Sequence, residues 1–410
     1  ITGEKMELDG YMTLEGPAIA TYNHQGKNFL CTMVALSKEV DPKVGHEVAM
    51  QVAAMNPIAV DEAGVPADVL EKENTKISRK DLGFPERKCL LCDNPACQCG
   101  RSRKHSIEEL RKKIYGIIWE EQLQRGVAAE ISQALMEEVY TTPKPGLVDR
   151  EDTGAHTDMN CQTFQKSTEA IAEDLAAMFE AGYSWEADPK TLFPLLRERG
   201  KKTEEKMFAA TGGVNTHKGI IFTIGILAAA AGISLRNYGK IESEDVCRIS
   251  LEMTKKELEQ DLRKLKQSSG ITHGEKIYCH LGEKGVRGLA MSGYPILCER
   301  TVPHMKQYIA NNRDQNQINV QILLEIIGEL TDTNVISRTS EKEMRWLQTE
   351  ARAILKTGGA FCAEGLQKVR ELNQICIRKN MSPGGAADLL AATIFLCRME
   401  TLMERLKSIT

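Results

Sequence analysis

Residues 219–233 read Gly-Ile-Ile-Phe-Thr-Ile-Gly-Ile-Leu-Ala-Ala-Ala-Ala-Gly-Ile, the longest apolar run of the chain. A helix that is apolar on every side is typical of a protein core or of a membrane span. A span needs about 20 apolar residues, and this run has fifteen. We therefore predict a buried helix here and no membrane contact.

Helical periodicity continues on both sides of this run. Apolar residues at three- and four-residue spacing predict amphipathic helices, and turns rich in Gly, Pro and Asn separate them. The predicted runs are 119–140, 160–181, 204–211, 217–233, 243–266, 302–312, 317–331, 341–356, 363–379 and 384–406. Upstream, Ser106 and Glu109 have the capping-box spacing of a helix N-terminus. Residues 115–410 are therefore predicted to form one all-helical domain.

The N-terminal part, residues 1–73, has a different pattern. Alternating stretches at 18–22 and 29–36 predict two strands joined by a turn at 25–27. A helical pattern follows over 45–55 and ends at an Asn-Pro pair, because the residue before proline disfavours the helical conformation. We predict a small α+β unit here, in a chain whose fold class is mainly α.

Composition limits the possible functions. The 410 residues include 53 Lys and Arg against 57 Asp and Glu, a formal charge of −4, and 42% are hydrophobic. This excludes a disordered chain and argues against a nucleic-acid binder that relies on a basic surface. Residues 1–5 contain no apolar segment typical of a signal peptide. We expect a cytoplasmic protein of two or three domains whose partner is a small molecule or a protein.

Cysteines are concentrated in one irregular connector, residues 74–114. The chain has 12 cysteines, and four of them lie within eleven residues: Cys89, Cys92, Cys97 and Cys99. Together with His105, three of them give the Cys₃His composition of a zinc site, formed by Cys89, Cys92 and Cys99. Cys97 is then an extra residue. The alternative is a reduced knuckle without metal.

Four turns between the predicted helices concentrate polar residues. They are Pro143-Lys144-Pro145-Gly146-Leu147-Val148-Asp149, Gly213-Val214-Asn215-Thr216-His217-Lys218-Gly219, Asp332-Thr333-Asn334 and Ser382-Pro383-Gly384-Gly385-Ala386-Ala387-Asp388. In the first turn, prolines and a glycine fix the backbone while Lys144 and Asp149 are presented; the alternative is a simple helix terminator. In the third, Asp332 and Asn334 offer oxygens that suit a hard cation such as Mg²⁺, although such residues also favour turns.

The second and fourth turns begin helices. Free N–H groups at a helix N-terminus, where the helix dipole is positive, bind anions. In the second turn, Lys218 and His217 would add positive charge to such a site. In the fourth, Gly384 and Gly385 leave their N–H groups uncovered, so that a phosphate can approach the backbone. Plain helix capping is the alternative for both turns.

In this order, the four turns resemble those of the triphosphoribosyl-dephospho-CoA synthase family, over about residues 120–405. The resemblance implies an enzyme that uses ATP as a substrate, with Mg²⁺. The 2′-hydroxyl of 3′-dephospho-CoA attacks C1 of the ATP ribose, adenine leaves, and the triphosphate stays on the product, the precursor of the citrate lyase prosthetic group. Within enzymes, the alternative is the same reaction serving malonate decarboxylase.

The resemblance also implies roles for individual residues. Those expected to bind substrate and phosphates are Lys144, Asn215, Lys218, Arg287, Asn334, Ser382, Gly384 and Gly385. Those expected to act in catalysis are Asp149, Glu205, His217, Asp332 and Asp388. The aspartates are expected to bind Mg²⁺ or stabilise the ribosyl cation, and Glu205 or His217 to transfer protons. Where the family has a glutamate after Arg287-Gly288, this chain has Leu289.

Two shorter resemblances lie upstream. Residues 77–114 resemble the C-terminal end of the apo-citrate lyase phosphoribosyl-dephospho-CoA transferase family, which implies the citrate lyase acyl-carrier subunit as a candidate partner. That family's Gly-Arg-x-x-Asp-x-Asp stretch is missing, so we expect no activity of this second kind. Residues 1–73, with Ala-Met-Gln-Val-Ala-Ala-Met-Asn-Pro at 49–57, resemble part of the elongation factor Ts core. A fragment that binds elongation factor Tu is the second functional hypothesis, against which the missing partner-contacting segment argues.

Overall fold

The chain has two compact units, residues 1–110 and 111–410. The computed structural model describes residues 13–23, 31–55, 83–265 and 273–407. In these ranges helices predominate, and the strands form a single two-stranded sheet. The prediction of a mainly α protein with a small α+β part near the N-terminus is confirmed.

The first unit contains the predicted hairpin and helix. Strand β1 (Ala18–Asn23) pairs with the antiparallel strand β2 (Cys31–Leu36), and helix α1 (Pro42–Met55) packs on both. The helix begins three residues before its predicted start. The predicted turn at 25–27 lies outside the described residues.

The cysteine-rich segment also belongs to the first unit. An isolated bridge joins Lys88 to Pro95, and the short helix α2 (Ala96–Ser102) follows. Between residues 83 and 106 the only buried side chain is that of Cys99. The segment is therefore irregular, as predicted, apart from this helix.

Helices α3 to α15 form the second unit, except that the first four residues of α3 belong to the first unit. Their bounds are α3 (Ile107–Tyr140), α4 (Cys161–Tyr183), α5 (Phe193–Ala210), α6 (Lys218–Tyr238), α7 (Ser243–Leu265), α8 (His273–Leu281), α9 (Gly285–Met291), α10 (Val302–Ala310), α11 (Gln315–Glu329), α12 (Thr333–Arg338), α13 (Glu341–Lys356), α14 (Ala363–Arg378) and α15 (Gly384–Lys407). The ten predicted runs correspond to ten of these helices. The three short helices α8, α9 and α12 were not predicted, because each is too brief to show clear periodicity.

The predicted capping box at the start of α3 is present. Ser106 Oγ accepts the N–H of Glu109 at 3.1 Å, and the Glu109 carboxylate accepts the N–H of Ser106 at 2.8 Å. Two N–H groups that the helix itself cannot satisfy are thus bonded.

Helix α6 is the buried helix predicted from residues 219–233. It is long and apolar enough to cross a membrane, but 83% of its most apolar part lies inside the protein. It packs most extensively on α4. Gly182 of α4 lies against the carbonyl oxygen of Ala229, and Gly232 of α6 lies against that of Phe179. A Cβ atom at either glycine would overlap these backbone atoms, so the glycines allow the two helix backbones to touch.

Candidate active site

A cavity of about 1610 Å³ lies within the helical unit. Ten of the thirteen residues predicted for catalysis or substrate binding line it: Lys144, Asn215, Lys218, Arg287, Asp332, Asn334, Ser382, Gly384, Gly385 and Asp388. The other three, Asp149, Glu205 and His217, do not line it. The fold thus brings the four predicted turns to one cavity, although they are far apart in sequence.

Lys144 lies on the cavity wall as half of a buried ion pair. Its Nζ donates hydrogen bonds to the Glu138 carboxylate at 2.6 Å and to the Glu138 carbonyl at 2.8 Å. Burial raises the pKa of Glu138, and the positive charge of Lys144 opposes that effect. The sequence prediction missed Glu138, which neutralises the charge expected for phosphate binding.

Asp149 holds the first turn together from behind the wall. Its carboxylate accepts the backbone N–H groups of Lys144 at 3.0 Å, Glu151 at 2.7 Å and Asp152 at 3.0 Å. Burial raises its pKa, while these donors lower it. Because its oxygens are occupied and it does not line the cavity, the expected contact with Mg²⁺ or the ribosyl cation does not fit this position.

The start of α6 brings Asn215, Lys218 and Gly219 to the cavity. The Lys218 ammonium group lies 2.9 Å from the carboxylate of Glu204, which also lines the cavity. Glu205, predicted to transfer protons, is exposed and lies outside the lining. One step along a helix rotates the side chain by about 100°, so Glu204 occupies the position expected for Glu205.

His217 is buried beside the cavity and does not line it. Its Nδ1 lies 2.7 Å from Ser167 Oγ, and its ring stands edge-on to that of Phe164. Its buried Nε2 has no hydrogen-bond partner among the described residues. Burial, with a smaller contribution from Lys144, lowers its pKa to about 3. A histidine that is so weakly basic and closed off from the cavity does not fit the expected proton transfer.

Asp332 connects the starts of two helices. One carboxylate oxygen accepts the N–H groups of Asn334 at 2.8 Å and Val335 at 3.4 Å, both in α12. The other accepts the N–H of Ala386 at 3.0 Å, in the first turn of α15. Burial raises the pKa of Asp332 to about 6, although these donors act in the opposite direction. Asp332 therefore fixes the third turn to the fourth.

Asp388 differs from Asp332 because its carboxylate has no hydrogen-bond donor in the described ranges. The carboxylate lies against the backbone of Gly219, where a Cβ atom would overlap it. Burial, and then the charges of Asp332 and Glu138, raise its pKa well above the ordinary range. The charge of Asp388, near the start of α15, is thus coupled to those of Asp332, directly before α12, and Glu138, near the end of α3. A cation in the cavity would stabilise all three charges.

His156 is a cavity residue that the sequence prediction missed. Its Nε2 lies 2.8 Å from Ser382 Oγ, and its Nδ1 lies 3.8 Å from the Asp158 carboxylate. Burial, and then the charge of Arg338, lower its pKa, so the ring is neutral at pH 7 and able to accept a proton. A signal was present in the loop Gly154-Ala155-His156-Thr157-Asp158, where a histidine lies two residues from an aspartate.

Basic residues outnumber acidic ones on the described part of the wall. The nine basic residues are Lys144, Arg197, Lys201, Lys218, Lys264, Lys276, Lys284, Arg287 and Arg338. The six acidic residues are Glu138, Asp158, Glu204, Asp261, Asp332 and Asp388. An excess of Lys and Arg beside two helix N-termini suits a ligand with several phosphates.

Comparison with known proteins gives the family. The model of ATP:dephospho-CoA triphosphoribosyl transferases matches residues 124–406, more than two thirds of the chain and the whole cavity. The chain belongs to this family. It is accordingly an enzyme of the transferase class, a triphosphoribosyl-dephospho-CoA synthase. The sequence resemblance over residues 120–405 is confirmed.

Relatives among curated proteins agree with this assignment. A probable 2-(5''-triphosphoribosyl)-3'-dephosphocoenzyme-A synthase of Citrobacter koseri is 38% identical over 268 residues, 65% of this chain and 88% of the relative. The Escherichia fergusonii synthase is 35% identical over 277 residues, 66% of this chain and 90% of the relative. No solved structure matches the chain significantly.

A segment that matches a second family precedes the triphosphoribosyl transferase domain. The model of apo-citrate lyase phosphoribosyl-dephospho-CoA transferases matches residues 65–121, somewhat more than the predicted 77–114. Protein CitXG of Leuconostoc mesenteroides is 34% identical over 347 residues, 80% of this chain and 73% of the relative. The resemblance of the cysteine-rich segment to this second family is therefore confirmed.

Proposed function

We propose that the cavity binds ATP and 3′-dephospho-CoA side by side and transfers the 5-triphosphoribosyl group between them. The 2′-hydroxyl oxygen forms a bond to C1 of the ribose as the bond from C1 to adenine breaks. The hydroxyl loses a proton, adenine gains one, and the product is the citrate lyase prosthetic-group precursor. A volume of about 1610 Å³ supports two substrates, since sites for one small ligand occupy about 300–1,000 Å³.

The triphosphate is proposed to lie at the starts of α6 and α15. There the side chain of Lys218 is on the wall, and both helix dipoles favour negative charge. The N–H groups of Gly384 and Gly385, expected to bind phosphate, instead donate to the Ser382 carbonyl at 2.9 Å and to the Asp332 carboxylate. Mg²⁺ would enter with the triphosphate and meet the carboxylate of Asp388, which offers the kind of oxygen ligand that this ion prefers. Arg287 also lines this cavity and would bind a further phosphate.

Asp388 is proposed to stabilise the ribosyl group during transfer. Loss of adenine leaves positive charge on C1 and the ring oxygen, and a fixed carboxylate beside that charge lowers the barrier. Among the sequence-predicted aspartates, Asp149 and Asp332 have their oxygens bonded to backbone N–H groups. This leaves Asp388 as the carboxylate best suited to meet the developing cation.

His156 is proposed to accept the proton of the attacking hydroxyl. It is a neutral imidazole on the wall, and it contacts Ser382 at the start of the helix that carries Asp388. The weak interaction with Asp158 would stabilise the imidazolium ion that forms. Glu205 and His217, the residues first expected to transfer protons, receive no role in this proposal.

The convergence of four separate turns on one cavity carries the proposal. Its test is the release of adenine from ATP, Mg²⁺ and 3′-dephospho-CoA, followed by chromatography with each substrate omitted in turn. We expect adenine only when both substrates are present. A folded protein that released none would contradict the proposed function.

A His156→Gln variant tests the proton transfer. Glutamine can still bond to Ser382 but cannot take up a proton, so kcat should fall by about 10²–10⁴-fold with little change in KM. The pKa of His156 is lowered from 6.5, and the base works only when unprotonated. Wild-type kcat/KM should therefore be flat near pH 7–8 and fall on acidification below the His156 pKa, whereas the variant should lack this acid limb. A Ser382→Ala control keeps the base and should lose much less activity.

The first unit is proposed to relate the enzyme to citrate lyase in preference to malonate decarboxylase. The segment similar to the second family supports this, and the citrate lyase acyl-carrier subunit is its proposed partner. Binding to the purified apo-carrier, without attachment of the prosthetic group, is expected. Covalent loading of the carrier by this chain alone would contradict the prediction that the second activity is missing. A cytoplasmic location belongs to the same proposal.

Residues 1–73 were predicted to resemble part of the elongation factor Ts core, but residues 65–73 match the second transferase family. We propose shared ancestry with elongation factor Ts for residues 1–64 only. The run at 49–57 and the hairpin packed on α1 support this origin. We expect no capture of elongation factor Tu by residues 1–410, because the resemblance covers only part of the elongation factor Ts core. Retention of elongation factor Tu on the immobilised chain would favour the translation-factor hypothesis.

A further inference from the structure

Four potential metal ligands meet in the first unit, and none of them is among the residues assigned to the transfer reaction. The ligand atoms of Cys89, Cys92, Cys99 and His105 all lie within 4.8 Å of one another. Cys92 Sγ is 3.5 Å from Cys99 Sγ, and His105 Nε2 is 3.3 Å from Cys92 Sγ. In a tetrahedral zinc site with Zn–S bonds near 2.3 Å, neighbouring ligand atoms are about 3.5–3.8 Å apart. The observed separations are close to these values.

The backbone is shaped to present this set. Cys89 and Cys92 lie on a tight hairpin that is closed by bonds from Cys89 N–H to Asn94 O at 2.8 Å and from Ala96 N–H to Arg87 O at 2.7 Å. Helix α2 then supplies Cys99, and the chain leaves α2 through Arg103, which has a left-handed conformation with φ 46°. This sharp exit returns His105 to the cysteines.

Hydrogen-bond donors lie next to two of the sulfur atoms. Backbone N–H groups of Leu91 and Cys92 donate hydrogen bonds to the sulfur of Cys89. Lys104 Nζ lies 3.9 Å from Cys92 Sγ. Three thiolates and one Zn²⁺ leave a net charge of −1, which this ammonium group would balance.

The segment also lacks an apolar core that could hold it together. Between residues 83 and 106 only Cys99 is buried, and Cys89, Cys92 and His105 are partly buried. Cys97, on the same short helix, is exposed and outside the cluster. The most enclosed polar side chains of the segment are thus its possible ligands. Small units of this kind commonly depend on a metal for folding.

We propose that Cys89, Cys92, Cys99 and His105 bind one Zn²⁺ ion that holds this segment together. The three thiols release their protons to solvent on binding, and the neutral imidazole of His105 supplies the fourth ligand through Nε2. All four positions are filled by protein, so the site is structural and has no open position for catalysis. It is separate from the proposed transfer reaction and does not depend on it.

The test measures metal content and ligand type in the full chain. Protein expressed with added zinc and passed over a desalting column should contain one zinc per chain by elemental analysis. After removal of zinc with a chelator under reducing conditions, added Co²⁺ should produce thiolate charge-transfer and tetrahedral d–d absorption. Zn²⁺ should then displace the Co²⁺.

Two cysteine variants make the test specific. Cys97→Ser, from the same helix, should keep one zinc and the cobalt spectrum, whereas Cys92→Ser should reduce bound zinc to near zero. If Cys92→Ser does not fold, the cobalt spectra of wild type and Cys97→Ser still decide the matter. Wild-type protein with neither zinc nor a cobalt–thiolate spectrum would overturn the proposal. Equal loss of metal in Cys97→Ser, or a zinc-free chain with a Cys92–Cys99 disulfide by mass spectrometry, would do the same.

Discussion

Asp388 should lower the stability of the fold while serving catalysis. Its carboxylate receives no hydrogen bond from the described residues, and burial together with Asp332 and Glu138 raises its pKa. The ionised group is therefore unfavourable in the empty enzyme and favourable only when a cation is present. Asp388→Asn keeps the size of the side chain and removes the charge. We expect this variant to be more stable than wild type and nearly inactive.

The neighbouring Asp332 gives the size of the effect. Its pKa is raised from 3.8 to about 6, which corresponds to a cost of roughly 3 kcal/mol for the ionised form. Asp388 also has a raised pKa, and it lacks the N–H donors of Asp332. We therefore expect Asp388→Asn to gain stability, by on the order of 2 kcal/mol, as stabilising substitutions commonly do. A gain of this size raises Tm by roughly 3 °C in a unit of about 300 residues. The rate of adenine release should fall by about 10²–10³-fold.

The pH dependence of this gain has a defined sign. A carboxyl group whose pKa is raised in the folded state costs stability at pH values above that pKa, and the cost disappears as pH falls below the unfolded value. The advantage of Asp388→Asn should therefore be largest at neutral pH and shrink toward pH 4. Thermal unfolding of the two proteins from pH 4 to 8, alongside the adenine assay, measures both effects.

Glu205→Gln is the matched control for Asp388→Asn. It also neutralises one carboxylate, but at an exposed position outside the cavity lining, and should leave Tm and adenine release close to wild type. If Asp388→Asn were less stable than wild type at pH 7, or retained full activity, the account of Asp388 as an uncompensated carboxylate would be wrong.

Two further predictions concern packing. Lys144→Met leaves the buried charge of Glu138 unpaired and should lower the free energy of unfolding, measured by urea denaturation, by about 3–5 kcal/mol. Adding Glu138→Gln should recover most of this loss. A double variant as unstable as the single one would contradict the pairing. Gly232→Ala places a Cβ atom on the α4 backbone and should cost about 1–3 kcal/mol or more. Gly200→Ala in α5 meets its nearest neighbour at 3.9 Å and should be neutral or slightly stabilising, so equal effects at the two glycines would refute the close contact.

Much of the helical architecture follows from local patterns in the sequence. Apolar periodicity predicted most of the long helices to within a few residues, but α5 begins 11 residues before its predicted start at 204 and α3 begins 12 residues before its predicted start at 119. The capping box predicted from Ser106 and Glu109 is present and marks the start of α3. The short helices α8, α9 and α12 have too few turns to show a period. Their positions depend on contacts with other helices, which a local pattern does not record.

The site could be predicted as a set of turns but not as a set of roles. Polar residues between helices indicated which segments meet, and each of the four turns contributes to the cavity wall. Whether a carboxylate is used by backbone N–H groups, as in Asp149 and Asp332, depends on backbone positions that the sequence does not show. Glu204 lines the cavity where Glu205 was expected, because a difference of one residue along a helix turns the side chain to another face. His156 was not predicted, because its partner Ser382 is 226 residues away in the sequence.

The glycine contact between α4 and α6 has a consequence for how the enzyme could change its specificity. Gly232 lies 13 residues beyond Gly219, or about 20 Å along the helix axis, so the close contact with α4 helps to fix the helix whose start forms part of the cavity wall. Even a small displacement at Gly182 or Gly232 would shift α6, and with it the part of the cavity wall where the transferred group is proposed to bind. Lys201 and Lys284 also line the cavity, but they do not belong to α6. We therefore expect selection for altered substrates to change residues such as Lys201 and Lys284 and to leave Gly182 and Gly232 unchanged.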